Sequence, residues 1–304
     1  MSGAIADTLQ QLAQFTAYMG DYAKADKLVA ESIQIARTLN RPDLLAHALH
    51  IQGSLCFYRG NYDEAERIHQ ETHALFTALE HNSGVALALS GLSSVAWARG
   101  GAALATAEAL CVQSLTISRT LGSRLRVARQ LVNLAYICCD QGDFAQALAC
   151  SQEALALADA LHSKIYQIYA LYCLGNVAAA DHDFAAGKAH LVQAIAIAAE
   201  ADLLPLLLLG LIQYATLLDQ EAEQSEALDA VALKGEALTL LILAEAQPSC
   251  WQLFKARASQ LRFKLTAALP AADVTAATDH AWTLSPVAAA YTIQQGSTFC
   301  ESTV

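Results

Sequence analysis

One pattern restricts this chain more than any other: a set of turn and small residues that returns about every 40 positions. Turn signals read Gly20-Asp21-Tyr22, Gly60-Asn61-Tyr62, Gly142-Asp143-Phe144 and His182-Asp183-Phe184, with a degenerate fifth at Gly100-Gly101. Three residues after each aromatic stands a small residue: Ala25, Ala65, Ala147 or Gly187. Seven residues before each clear turn stands another: Ala13, Gly53, Ala135 or Gly175. A chain with such a period folds as stacked supersecondary units, because each unit alone cannot bury its apolar face.

The repeated unit reads as a helical hairpin. Helix A carries the first small residue, Gly with a polar neighbour turns the chain, and helix B opens on an aromatic and presents the second small residue. Helices touch closely only where side chains are missing, which explains why the small residues recur. Helix B then keeps apolar spacing near 3.6, as in Ala147, Leu148, Ser151, Ala154, Leu155, Ala158 and Leu161. It ends near Leu-Gly, Leu-Asn or Leu-His. A sixth unit lacks its glycine: Leu203–Gln220 reads as helix A and Ser225–Ala246 as helix B, with Ala215 and Ala227 at the small positions and Pro205 in a first turn.

This pattern resembles the tetratricopeptide repeat, with both helices extended by about a turn beyond the usual 34-residue unit. The resemblance implies an all-α fold, a right-handed superhelical solenoid of about six hairpins over residues 4–246. A capping helix is expected at 249–268, begun by Ser249, with Trp251, Phe254, Ala258, Leu261 and Leu265 as its apolar stripe, and Lys255, Arg257, Arg262 and Lys264 mostly toward water. A short helical closing segment follows at 269–293, then a flexible tail at 294–304. No comparable cap precedes Ala4, so the chain reads as part of something longer.

The closing segment resembles the end of the repeat domain in bacterial STAND-type signal-transduction ATPases and transcriptional regulators. Leu269, Val274, Leu284, Ser285 and Ala288 match that layout, whereas Thr278 and Ala281 stand where that family has Trp and Gly. There the repeats sense an inducer or partner for a nucleotide-driven motor. This chain has no GxxxxGK[ST] loop, so it lacks the phosphate-cradling backbone of such a motor, and no basic helix-turn-helix is apparent.

Composition narrows the partners. With 29 acidic against 18 basic side chains and a net charge of −11, the chain offers no cluster of cations for a nucleic-acid backbone. Mean hydropathy is +0.32, yet the longest uncharged apolar run, Leu203–Ile212, is about half of what a spanning helix needs, so no membrane association is expected. Eight cysteines lie scattered among apolar residues with no CxxC pair and no secretory signal, which reads as reduced core thiols in a cytoplasmic protein.

The resemblance to tetratricopeptide repeats implies that helix A lines a concave face, where a ligand is expected at positions six and three before, and one, four and five after, each small residue. Unit two then supplies His47, His50, Ser54, Phe57 and Tyr58; unit three Arg99; unit four Arg129, Val132 and Tyr136 with Asn133 nearby; unit five Tyr169, Tyr172 and Asn176. Rings give contact area, amides bond extended backbone, and Arg holds carboxylates. The alternative is that Tyr and Asn satisfy each other between helices. His69 and His73, four apart with Glu66 a turn earlier, read as solvated helix-B residues rather than metal ligands, and His47 and His50 as groove or core residues; no metal and no cofactor are expected. No nucleophile and base stand out, so the expected function is non-catalytic. It is binding of a protein, peptide or small inducer, as the sensor of a signalling ATPase or regulator, with a free-standing scaffold as the alternative and homodimerisation possible.

Overall fold

Left-handed backbone sets the rhythm of the fold. The computed structural model describes residues 2–296, and positive φ angles fall at Gly20, Asn40, Gly60, Glu80, Gly100, Gly101, Gly122 and Gly142, then at His162, His182 and Asp202. Apart from the adjacent Gly100 and Gly101, which share one turn, they fall about 20 residues apart at helix ends, where a residue in this conformation lets backbone N–H groups reach back to the last carbonyls. At Asn40, for example, the N–H donates to Arg37 O at 3.1 Å and the following Arg41 N–H to Ala36 O at 3.0 Å. The chain is therefore cut into helices of nearly constant length.

Two compact units result, residues 1–161 and 162–304. The first holds four hairpins: α1 Ser2–Tyr18 with α2 Tyr22–Thr38, α3 Pro42–Tyr58 with α4 Tyr62–Ala78, α5 Asn82–Arg99 with α6 Ala103–Thr120, and α7 Arg124–Gln141 with α8 Phe144–Ala160. The second holds α9 Lys164–Ala180 with α10 Phe184–Glu200, α11 Leu204–Ala222 with α12 Ala227–Glu245, then α13 Gln252–Ala268, α14 Ala271–Thr283 and α15 Pro286–Gln294. No strand occurs among the described residues. The fold is an all-α array of tetratricopeptide-like hairpins.

The small residues are where helices A and B meet. Ala13, Ser93, Ala135 and Ala215 on A helices, and Ala25, Ala65, Ala107 and Ala147 on B helices, are fully buried. In the second unit a Cβ on Gly175 would lie 3.3 Å from Gly187 O, and one on Gly187 the same distance from Gly175 O, so the two backbones themselves are in contact. In the first unit Ser93 Oγ donates to Ala107 O at 2.7 Å in the same register. Helix B starts are fixed by Asp21, Asp143 and Asp183, whose side chains accept from the backbone N–H three residues on.

The end of the second unit differs from the sequence reading in detail. The sixth small pair fails at Ala227, which is exposed because α12 only begins there; α12 buries its second half, Ala237 to Ala244. Ser249 does not cap α13, which starts at Gln252 after Trp251. On α13, Phe254, Ala258 and Leu265 are buried, but two of the cations expected in water are held by acids: Lys264 Nζ by Asp219 at 2.7 Å and Glu223 at 2.6 Å, and Arg262 by Glu245 at 2.9 Å. The chain then returns, α14 packing on α12 and α15 on α10 and α11. Ser285 Oγ accepts from Ala288 N–H and starts α15. Gln294 ends that helix, and the tail expected beyond it lies, from residue 297, outside the described residues. The leucine run after Leu203 is buried on all sides of α11.

Candidate functional site

The positions expected to face a ligand separate into two sets. Six before, one after and five after the small residue are half-buried or exposed in most units, as at His47, Ser54 and Tyr58 of α3 or Arg129 and Asp140 of α7. Three before is buried in all six: Gln10, His50, Ser90, Val132, Tyr172 and Ile212. Four after is largely buried too, at Ala17, Phe57, Trp97, Ala179 and Asp219. A helix turns about 100° per residue, so these sets occupy different faces.

Five residues expected to face a ligand are interior instead: His50, Phe57, Val132, Tyr136 and Tyr172. Tyr172 is 0% exposed, and its hydroxyl donates to Leu206 O at 2.8 Å. His50 packs against His69 with ring centroids 5.2 Å apart. His69 is buried as well, against the expectation that it is solvated: it lies between Gly53 of α3 and Gly91 of α5, and a Cβ on either would come within 2.7 Å of its ring. Burial holds both imidazoles neutral, His50 well below its ordinary value and His69 down to about 4.

Arg99 leaves the helix-A face altogether. Its guanidinium meets Asp63 at 2.8 Å and Glu66 at 2.7 Å on α4, and it borders a cavity of about 340 Å³ lined also by Gln70, Leu92, Ala96, Ala103, Thr106 and Leu110. Tyr136 is buried, its ring 5.5 Å from that of Trp97 between centroids, and Trp97 Nε1 donates to Asp140 at 2.7 Å.

What remains in the first unit is a coherent surface across α3, α5 and α7. The floor is α5, where Ser83, Leu87, Ser94 and Ala98 are half-buried and Ser90 is buried; Leu87 alone among them is bulky, and none is charged. On one side stand His47, Ser54 and Tyr58 of α3. His47 packs on Phe76 and His81, with centroids at 4.9 and 5.8 Å, and Tyr58 on Tyr22 at 5.8 Å. On the other side α7 brings Arg126, Arg129 and Asn133. Arg126 donates to Ser83 O at 3.3 Å and to its hydroxyl, and Gln130 and Asn133 donate to Ser90 Oγ at 3.1 and 3.3 Å. The charges of Arg126 and Arg129 reach across α5 and help keep His50 neutral. Arg126 was missed in the sequence because the register rule selected Arg129 three residues later.

In the second unit Tyr169 and Asn176 share the open face of α9, and the Tyr169 ring lies 6.3 Å from that of Trp251. Asn133 stands two places before the small residue of its unit and Asn176 one place after, so the asparagines do not form one equivalent row. Among the described residues no group of three or more His, Cys, Asp or Glu is placed to hold a metal ion, and no helix is long and apolar enough to cross a membrane. The described cysteines carry free thiols, with Cys111, Cys138, Cys139 and Cys250 pushed up to about 12 by burial.

Residues 4–78 match the tetratricopeptide repeat family model. No curated protein sequence matches the chain significantly. Among solved structures, BtubC (BKLC) from P. vanneervenii is similar with a TM-score of 0.51 and 23% identity, over 66% of this chain and 82% of that one. A signal transduction ATPase with numerous domains (STAND) protein with a tetratricopeptide repeat sensor, from Pyrococcus horikoshii, is similar with a TM-score of 0.53 and 13% identity. That likeness covers 90% of this chain and 44% of the other, so the chain spans less than half of the STAND protein's length. The chain carries tetratricopeptide repeats and resembles that sensor region in fold; such repeats form protein-interaction scaffolds and are typically non-catalytic.

Proposed function

We propose that these tetratricopeptide repeats bind an extended, carboxylate-bearing segment of a partner protein along the surface formed by α3, α5 and α7. The observation that carries the reading is the placement of Arg126 and Arg129. Both guanidiniums rise from the half-buried face of α7 beside a floor that carries no charge, and Arg126 is anchored there on Ser83 of α5. A carboxylate lying over the uncharged floor of α5 comes within reach of both guanidiniums, which hold it by charge-assisted bonds while Asn133 and the ring of Tyr58 take adjacent backbone and side chain.

Within a larger protein the module acts as the sensor of a bacterial signal-transduction ATPase or transcriptional regulator, a role supported by the sensor-like fold. Bound ligand shifts the array toward one curvature only if it binds that curvature more tightly. The test is fluorescence anisotropy with labelled Asp/Glu-rich peptides and their Asn/Gln counterparts. Acidic peptides should bind at least ~10-fold more tightly, and Arg129→Gln with Asn133→Ala should remove that preference, a difference of about 1.4 kcal/mol or more. Equal binding of the two peptide sets sinks the reading. X-ray scattering at saturating peptide then separates sensor from scaffold: a changed radius supports the first, an unchanged one the second.

A further inference from the structure

The cavity that Arg99 borders lies between two B helices of the first unit, with α4 and α6 as its walls and Leu92, Ala96 and Arg99 of α5 as its floor. One hairpin later the equivalent space is filled: Leu134, Cys138 and Cys150 stand at the registers of Leu92, Ala96 and Leu110, and all three are buried. Here Leu92 and Leu110 are only half-buried, and alanine replaces the cysteine that α3 and α7 carry as Cys56 and Cys138. A volume of about 340 Å³ is left between the helices. The ion pair of Arg99 with Glu66 is an ordinary tie of the array, since Arg59 pairs with Asp26 at the same two registers one hairpin earlier. The surplus of acid around it is not. Along α4 stand Asp63, Glu64, Glu66 and Glu71 against Arg67 alone, and Arg99 is shared between Asp63 and Glu66, so the rim keeps a negative charge.

We propose that this groove binds a small aliphatic amine, with the hydrocarbon chain on Leu92, Ala96 and Leu110 and the ammonium at Glu66 and Gln70. The floor is built of leucine and alanine, and the lining has no ring on which a planar cation stacks, so the body of the ligand is aliphatic. An ammonium carries three donors and no acceptor, and Glu66, Gln70 and Thr106 supply oxygens around the groove. The negative rim draws a cation in and repels an anion. The volume stands at the lower end of the range for small-molecule sites, which suits a short chain. This site shares no residue with the α3, α5 and α7 surface and selects the opposite charge.

Calorimetric titration of the full chain with hexylamine tests this, with hexanol and hexanoate as the neutral and anionic molecules of equal length. Hexylamine should bind with a dissociation constant on the order of 1 mM. Hexanol should bind at least ~5-fold more weakly and hexanoate not measurably. Glu66→Gln should weaken hexylamine at least ~5-fold and leave hexanol unchanged. Ala96→Leu, the residue that α11 carries at this register as Leu218, should abolish binding of both, and Ala96→Cys should weaken it with the melting curve unchanged. A lysine capped by acetyl and methylamide groups presents the same ammonium from a polypeptide, and should bind less well because its chain is shorter and its amides meet the apolar floor. Tighter binding of the capped lysine would assign the groove to a partner's side chain and overturn the free-amine reading. So would equal affinity for hexylamine and hexanol, no hexylamine binding at ~20 mM, or hexylamine binding that survives Glu66→Gln and both Ala96 variants.

Discussion

The Tyr172 hydroxyl and the Leu206 carbonyl of the second unit form a hydrogen bond of 2.8 Å, and the first unit repeats it with different chemistry. There the Gln10 amide donates to Leu44 O at 3.0 Å. Both donors stand three places before the small residue of one A helix, and both acceptors lie in the first turn of the next A helix. A buried polar side chain at this register thus ties consecutive A helices by reaching a carbonyl, and its partner satisfies it. The glycine four residues beyond Leu206 makes room: a Cβ on Gly210 would lie 2.3 Å from the Tyr172 oxygen.

Tyr172→Phe should therefore cost about 1 kcal/mol in urea unfolding and leave peptide binding unchanged, because the ring never reaches the surface. Gly210→Ala should cost about 1–3 kcal/mol despite the better helix propensity of alanine, since Ile195 Cγ1 also lies 2.7 Å from the added carbon. The double variant removes the oxygen that the methyl meets. Its loss should be smaller than the sum of the two by at least ~0.5 kcal/mol; strict additivity would show that the hydroxyl and the glycine are unrelated.

This register also explains what the sequence concealed. The period, the small residues and the turns were legible because each is dictated by backbone: a contact that excludes Cβ, or a φ that favours Gly or Asn. The facing of individual side chains was not. At three before the small residue stand Gln10, His50, Ser90 and Tyr172, polar types that read as surface and are core. His69 misled similarly, since its register holds Val29, Cys111, Ser151 and Leu191 elsewhere, all buried; comparing units by column rather than spacing along one helix reveals it. Arg99 sits at the irregular Gly100-Gly101 turn, where the repeat slips by two residues and the register rule loses its reference.

Helix ends offer a stability gain. Glu80, His162 and Asp202 hold φ of 52°, 50° and 54°, a conformation that costs an L-residue about 1 kcal/mol. Replacing each by Gly should raise stability by a few tenths to ~1 kcal/mol, the relief exceeding the added freedom of the unfolded chain. Gly142→Ala, at φ 82°, should lower it by a similar amount. Thermal melts of the triple glycine variant would show the increments, and a decrease would mean that side-chain contacts at these turns outweigh backbone strain.

Glu236 of α12 is a carboxyl that burial raises to about 7, with Glu221 adding repulsion and Lys188, paired to Glu221 at 2.6 Å, partly offsetting both. The folded protein holds that proton more tightly than the unfolded chain, so this group favours folding more as pH falls from about 7 toward 4.5 and opposes it above. Glu236→Gln should stabilise the protein by ~1 kcal/mol or more at pH 8 and change little at pH 5. Equal effects at both values would place the carboxyl in water.

Histidine burial acts in the opposite direction over the same range. His69 is neutral when folded and takes a proton only near pH 4, while in the unfolded chain it does so near 6.5. Between those values the unfolded state binds more protons, so stability is complete above about pH 6.5 and declines as pH falls toward 4, by on the order of 2–3 kcal/mol for this group alone. His50, also held neutral, adds to the decline. His69→Leu removes the first contribution without opening a hole, because Leu191 fills the same register against Gly175 in the second unit. At pH 7.5 the variant should fall within about 1 kcal/mol of the parent. At pH 5 it should be the more stable of the two, and Glu236→Gln in both backgrounds isolates the histidine slope from the carboxyl's. A parent and a His69→Leu variant that lose stability in parallel on acidification would mean that His69 is protonated in the folded protein, and that the two glycines around it leave space for water.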